Sequence, residues 1–231
     1  MLLIFYFLPF ILIKRSYKKA GINYMNQDNK ILNMFSRIID LILLNFLFLL
    51  TSIPIFTLGA SMTALFSVSL KMVRNEESYI ARNYFHAFKK NFKQATLAFL
   101  GFAMILLLFS GNIIISYKQY GRFFIVLRMV SLLFILFVGI YFLYFFPVLA
   151  RFYFTTKQIL LHIPHMILTH LSAFVSLIVI MVPIIFLCVY SLYTAIFILI
   201  FGCVCGFALY AYVTSFLFRK VFEDYELPAD R

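Results

Sequence analysis

Tryptophan is absent from the 231-residue chain, and acid is scarce, with eight Asp and Glu against twenty Lys and Arg. Only 12% of the residues are charged, too few to cover the surface of a soluble domain of this length. The shortage of acid also removes chemistry. Asp40 is the one acid inside an apolar run, near its end and one turn after Arg37, so a short-range ion pair accounts for it. A proton relay needs carboxylates or histidines deep in a membrane, and none is evident. The three cysteines, Cys188, Cys203 and Cys205, all lie in apolar runs. A C-x-C pair alone is not a zinc site, and buried free thiols are expected. There is no G-x-S-x-G, no H-E-x-x-H and no Walker A sequence. No catalytic residue, metal or cofactor is therefore expected. The missing Trp beside 31 Phe and 15 Tyr fits a bias in base composition as well as selection, and carries no functional reading.

What is present is hydrocarbon. Apolar residues make up 65% of the chain and the mean hydropathy is +1.02. Runs such as "LAFLGFAMILLLF" are continuous, not alternating, which excludes a transmembrane barrel and predicts an all-α polytopic membrane protein. Five spans are clear at about Ile38–Phe56, Ala95–Ser116, Met129–Val148, Leu171–Tyr190 and Thr194–Phe218. The net charge of +12 is then explained by Lys and Arg that hold loops on the inner side, and no nucleic-acid partner is expected.

A sixth span turns on "SIPIFTLGASMTALF", Ser52–Phe66. With five spans, Lys71–Lys93 and the equally basic N-terminal region would face opposite compartments, against the positive-inside rule. If Pro54 breaks the first helix and the chain returns through 57–73, both become cytoplasmic, and only Lys118, Arg122 and Arg128 remain outside. The expected architecture is about six transmembrane helices as three hairpins, with N- and C-termini cytoplasmic. Pro54 is read as the break, and Gly59, Ala60, Thr63 and Ala64 as a small-residue packing face. Two questions stay open at this stage: whether 57–73 crosses fully or is re-entrant, and whether the break is a packing device or a broken-helix solute site. No second break is evident to pair with it.

Residues 1–30 form an N-terminal segment. "LLIFYFLPFILI" is too short to span, and a basic cluster follows it, so it is no standard signal peptide. Met25 has the look of an ordinary cytoplasmic start. Residues 31–218 are taken as one membrane domain and 219–231 as a cytoplasmic tail. Within Asn75–Thr96, Tyr84, Phe85, Phe88 and Phe92 recur at helical spacing among Arg82, Lys89, Lys90 and Lys93. This predicts an amphipathic helix on the inner membrane face, its cations contacting membrane lipid or a partner. The second connection carries His162, His165 and His170, with Pro164 disturbing the spacing. Asn45 and Asn112 are candidates for hydrogen bonds between helices.

Ser52–Thr96, from the Pro-then-Gly-Ala turn through "TAL" and the acidic pair to "FKKNFKQAT", resembles the signature half of the YesL family of bacterial membrane proteins. "PVLARFYFTTKQILLHIPHMILTHL", Pro147–Leu171, resembles that family's second connection. The resemblance runs from about Ile31 to Phe218 and leaves Met1–Tyr24 outside. It implies a Firmicutes-type source and genes neighbouring carbohydrate ABC transporters and two-component systems. It implies no catalytic or binding residue, because the family's activity is not established.

Three functions are weighed. The first is an accessory or regulatory membrane protein for carbohydrate uptake or sensing, with ABC transporter subunits or a sensor histidine kinase as partners. The second is a small transporter or channel for an uncharged solute such as a sugar. The third, a membrane-embedded enzyme on lipid or glycan, has only His162, His165 and His170 to recommend it.

Overall fold

Backbone polar groups in hydrocarbon must find partners within their own segment, and among the described residues the chain does this with helices and no strand. The computed structural model describes residues 30–76, 79–117 and 119–225, with side chains from Met34 onward. The expected N-terminal segment before Lys30, its alternative start at Met25, and the last residues of the tail lie outside them. The helices are α1 (Lys30–Ser52), α2 (Leu58–Val73), α3 (Ile80–Tyr117), α4 (Arg122–Arg151), α5 (Thr156–Thr169), α6 (Leu171–Tyr190), α7 (Leu192–Phe201) and α8 (Phe207–Glu223). A 3₁₀ turn, Ile55–Thr57, precedes α2, and a π-helical segment, Gly202–Gly206, joins α7 to α8. The chain divides into two units, Met1–Ile39 and Asp40–Arg231, with the boundary inside α1. The first contributes the opening of α1, with Met34, Phe35 and Ile38 uncovered. The remaining description concerns the second.

Six stretches are long and apolar enough to cross a membrane: Met34–Ser52, Ile55–Val73, Ile80–Tyr117, Arg122–Arg151, Leu171–Tyr190 and Leu192–Glu223. This is a multi-pass membrane protein. Burial separates the second from the rest. Two thirds of the apolar window of Ile55–Val73 (67%) is covered by protein, against none of that of Ile80–Tyr117. Twelve of the sixteen residues of α2 are buried. It is the axis on which α3, α4 and α8 pack.

The sequence around α2 explains that position. α1 ends at Ser52, and Pro54 holds extended backbone at φ −75° and ψ 110°, as a residue without an N–H and with a fixed φ must at a helix end. The hydroxyls of the next turns satisfy themselves locally, Ser61 donating to the Thr57 carbonyl at 3.1 Å and Thr63 to that of Gly59 at 2.9 Å. The Thr51 hydroxyl joins Ser61 at 3.0 Å and Tyr84 at 2.6 Å, tying the end of α1 to α2 and α3. Ala60, Thr63 and Ala64 are fully covered. At Gly59 the approach is closest. A Cβ there would overlap the Ala95 carbonyl oxygen and come within 2.6 Å of Phe99 Cβ, so only glycine admits α3 at this distance.

α3 corrects the expectation of a separate amphipathic helix lying on the membrane. Ile80–Tyr117 is one helix of 38 residues, about 57 Å long at 1.5 Å per residue. Between Lys93 and Leu97 there is neither Gly nor Pro to stop propagation, so the basic and apolar halves are continuous. α4 returns antiparallel beside it, with Phe109 stacked on Phe134 at 4.7 Å and Phe102 packed on Phe145 at 5.4 Å. The two helices part at Gly121, whose φ of 138° is open to glycine.

α8 closes the core. Ala208, Ala211, Ser215, Phe218 and Phe222 face inward at helical spacing. Phe218 sets its ring edge-on to Phe66 of α2 and Tyr144 of α4, 6.2 and 5.4 Å between centroids, a geometry aromatic pairs prefer.

Gly59→Ala should lower the thermal midpoint in detergent, by about 1–3 kcal/mol of stability for overpacking a tight contact. Gly111→Ala, with nothing within 4 Å of its Cβ, should be neutral or gain up to about 1 kcal/mol from helix propensity. Equal midpoints for the two variants would contradict the close approach of α2 and α3.

Candidate functional site

The basic half of α3 sorts its side chains by face. Tyr84, Ala87 and Ala95 turn inward, while Arg82, Lys89, Lys90 and Lys93 are exposed. Arg82, Lys89 and Lys93 recur at i, i+7 and i+11, one side of the helix, with Lys90 beside them. Of the aromatic residues expected to form one face, Tyr84 is buried, Phe88 and Phe92 are half-buried, and Phe85 is exposed together with His86.

Lys90 has a specific neighbour. Its Nζ lies 3.5 Å from the ring centroid of Tyr153, in the loop between α4 and α5. Gln94, one turn on, donates to the Phe154 carbonyl at 2.9 Å, pinning that loop against α3. The Lys90 ammonium, within reach of the phenol and positively charged, holds Tyr153 below its ordinary pKa, and the charges of Lys71 and Arg151 act in the same direction.

α5 follows with a capping box, the Thr155 hydroxyl accepting from the Gln158 N–H and the Gln158 side chain accepting from the Thr155 N–H. Ile159, Ile163 and Met166 are its buried stripe, and Leu161 and Leu168 stay uncovered. Pro164 sits within the helix and does not end it. The three histidines lie against aromatic rings, His165 and His170 sharing that of Tyr225. His162 stacks on Phe154 at 5.2 Å, His165 meets the Tyr225 ring edge-on, and His170 Nε2 lies 3.1 Å from Asp224 Oδ2. The Tyr225 hydroxyl is also 3.0 Å from that of Thr169. The end of α8 is therefore clasped to the corner between α5 and α6. Arg219 bonds Glu223 one turn on and donates to the Val73 carbonyl at 3.3 Å, joining α8 to the end of α2. Among the described residues no group of three His, Cys, Asp or Glu side chains is placed to hold a metal ion.

A second polar element lies away from this end. Within the continuous helical stretch Leu192–Glu223, Gly202–Gly206 opens into a π-helical segment. Asn45 of α1, fully buried, fills the opening. Its amide nitrogen donates to the carbonyls of Gly202 at 3.0 Å and Cys203 at 2.8 Å, and its oxygen accepts the Ala208 N–H at 3.0 Å. Asn45 thus makes the interhelical bonds its sequence position predicted. Cys188 and Cys203 are exposed and Cys205 half-exposed, not buried as expected, since an apolar run in a bilayer can face lipid instead of protein. Between α6 and α8 runs an open groove of about 460 Å³, lined by Val175, Val179 and Ile180 on one side and Val213, Phe216 and Leu217 on the other, with Ser176 its one hydroxyl.

Residues 41–113 match a protein family described as "Protein of unknown function, DUF624". That stretch contains Ser52–Thr96, the segment on which the YesL resemblance rests. No curated protein and no solved structure matches the chain.

Two outcomes follow from these contacts. Asn45→Leu should destabilise the protein in detergent by about 1–3 kcal/mol for each backbone group left unpaired; an unchanged melting midpoint would show that the π segment satisfies itself. Lys90→Met should raise the Tyr153 pKa toward the ordinary 10.0, read as the absorbance titration of each protein minus its Tyr153→Phe counterpart. A difference titration that Lys90→Met leaves in place would separate the two groups.

Proposed function

We propose that this protein is an integral component of the bacterial cytoplasmic membrane that acts as an accessory or regulatory subunit, without an enzymatic activity of its own, for carbohydrate uptake or sensing. The observation that carries the reading is the basic end of the helix core. There α3 presents Arg82, Lys89, Lys90 and Lys93, beside the contact of Lys90 with Tyr153 in the α4–α5 loop and the uncovered Leu161 and Leu168 of α5. A rigid, multi-helix surface at one end of a membrane protein suits docking more than chemistry. The positive-inside rule places it in the cytoplasm. It faces anionic lipid and, beyond that, a carbohydrate ABC transporter or a sensor histidine kinase. The carbohydrate link rests on the YesL resemblance of Ser52–Thr96, which falls within the matched family segment.

A small transporter or channel for an uncharged solute is the second reading. The break at Pro54 favours it, since interrupted helices build solute sites in membranes. Asn45 already occupies the groups that the π segment frees, and the groove between α6 and α8 offers almost only hydrocarbon. Both features weigh toward the accessory role.

Affinity capture from gently solubilised native membranes tests the choice. Transporter subunits or a kinase in stoichiometric amount are expected, and the quadruple variant Arg82→Glu, Lys89→Glu, Lys90→Glu, Lys93→Glu should lose them while keeping its melting midpoint. Unchanged capture by that variant would sink the basic face as docking surface. Solute flux in liposomes containing only this protein would replace the reading with transport.

A further inference from the structure

The helices of the Asp40–Arg231 unit do not all reach the same depth, and the difference can be read from their contacts. α3 carries its exposed cations Arg82, Lys89, Lys90 and Lys93 in one half. From Leu97 to Tyr117 it has no charge, and Leu97, Leu100, Met104, Leu107, Leu108 and Ile114 are uncovered by protein. That stretch is about 31 Å long, the thickness of a bilayer's hydrocarbon. The facing half of α4 is uncovered in the same way at Phe123, Val126, Met129, Leu133 and Phe137. The bilayer therefore surrounds this half of the hairpin.

α2 does not lie beside that half. Its first turn packs at Gly59 against Ala95 and Phe99, where the apolar stretch of α3 begins. A short connection, 74–79, joins its other end to the start of α3. α2 thus runs antiparallel along the basic half. From Phe99 to Tyr117 is about 27 Å along α3. α8 gives a second measure. It runs alongside α4, Phe218 against Tyr144 and Phe222 against Phe152, and sets Phe218 on Phe66 of α2. Along the axis Ser191 lies about 40 Å from Phe218, whereas the turn before α2 lies about 15 Å from Phe66. These two measures leave roughly 25 Å between the turn at Ile53–Thr57 and the turns at Gln119–Gly121 and Ser191. The contacts of Asn45 with Ala208 and of Phe48 with Phe207, followed along α1 and α8 to the same turns, leave about 12 Å, so on each count the turn stops short. If α2 crossed the bilayer, the exposed cations of α3 would sit in hydrocarbon and its uncovered Leu and Ile residues in water, each the reverse of what the side chains tolerate.

We infer that the turn between α1 and α2 is a wedge that ends inside the bilayer, short of the face marked by Gly121 and Ser191, and that Leu58–Val73 returns without crossing. The tip has the chemistry for it. Leu50, Ile53, Ile55 and Phe56 are all uncovered, Ile53 and Ile55 by nearly three quarters of their surface. Lys93 of α3 lies within two turns of the Ala95–Phe99 contact, and Lys89 and Lys90 one turn further, the arrangement of apolar groups among acyl chains and ammonium groups at anionic headgroups. The occupant of this face is the lipid leaflet itself. The placement is independent of what docks on the basic end.

Single-cysteine proteins in a background with Cys188, Cys203 and Cys205 changed to Ser test it. In sealed right-side-out membranes a membrane-impermeant maleimide should label Y120C and Y193C and leave I55C and K89C untouched. In inside-out vesicles K89C should label and Y120C should not. I55C labelling together with Y120C in either preparation overturns the inference, as does K89C labelling from the same face as Y120C. Should the cysteine-free background fail to fold, the chain's lack of tryptophan supplies a second route. I55W and Y120W are each the sole Trp of an otherwise native protein, and external iodide in right-side-out vesicles should quench Y120W and spare I55W. Equal quenching of the two would overturn it.

Discussion

The approach of α2 to α3 at Gly59 is the contact on which the rest of the structure depends. In lipid there is no hydrophobic drive to bring helices together, so association relies on close van der Waals contact and on hydroxyls that find local acceptors. Gly59, Ala60, Thr63 and Ala64 supply both. With α3 admitted to backbone distance, α2 is covered on that side. α4 and α8 then complete its enclosure through Phe66, Phe218 and Tyr144. An apolar helix so enclosed has little surface left for lipid. Its role is to hold the others in register, and its depth follows from that register and not from its hydropathy.

The same register separates two kinds of surface. The halves of α3 and α4 beside Gly121 expose Leu, Ile, Phe and Met, as a lipid-facing hairpin does. The opposite end collects cations, a phenol, three histidines and the end of α8 into contacts that are mostly pairwise and specific. Lys90 with Tyr153, Gln94 with the Phe154 carbonyl, and His170 with Asp224 each join elements far apart in sequence. The polar end is a built surface, not a collection of loose loops. Asn45 performs the complementary task within the apolar region, closing the one stretch where the last helix opens.

The helical membrane class, the positions of the spans and the basic character of Asn75–Thr96 were legible in the sequence because each depends on a local property: a run of apolar residues, a Pro, a spacing of Lys. The break at Pro54 and the small-residue stretch could be marked for the same reason. Continuity of α3 through Lys93–Leu97 was missed because a change from basic to apolar composition resembles a boundary, although nothing there stops a helix. The π segment was missed because Gly202 and Gly206 lie in an apolar run and show their effect only when a partner fills the opening.

The sequence by itself determined what each segment is: helical, apolar or basic, and broken at Pro54. Only the tertiary structure decided which segments share a level. Side-by-side register depends on where one helix's small residue meets another's backbone, and that meeting is between residues 36 apart at Gly59 and Ala95 and 163 apart at Asn45 and Ala208. No window of local composition contains both partners. The identity of the innermost helix, the pairing of Lys90 with Tyr153 and the filling of the π segment by Asn45 were therefore fixed by packing between distant segments.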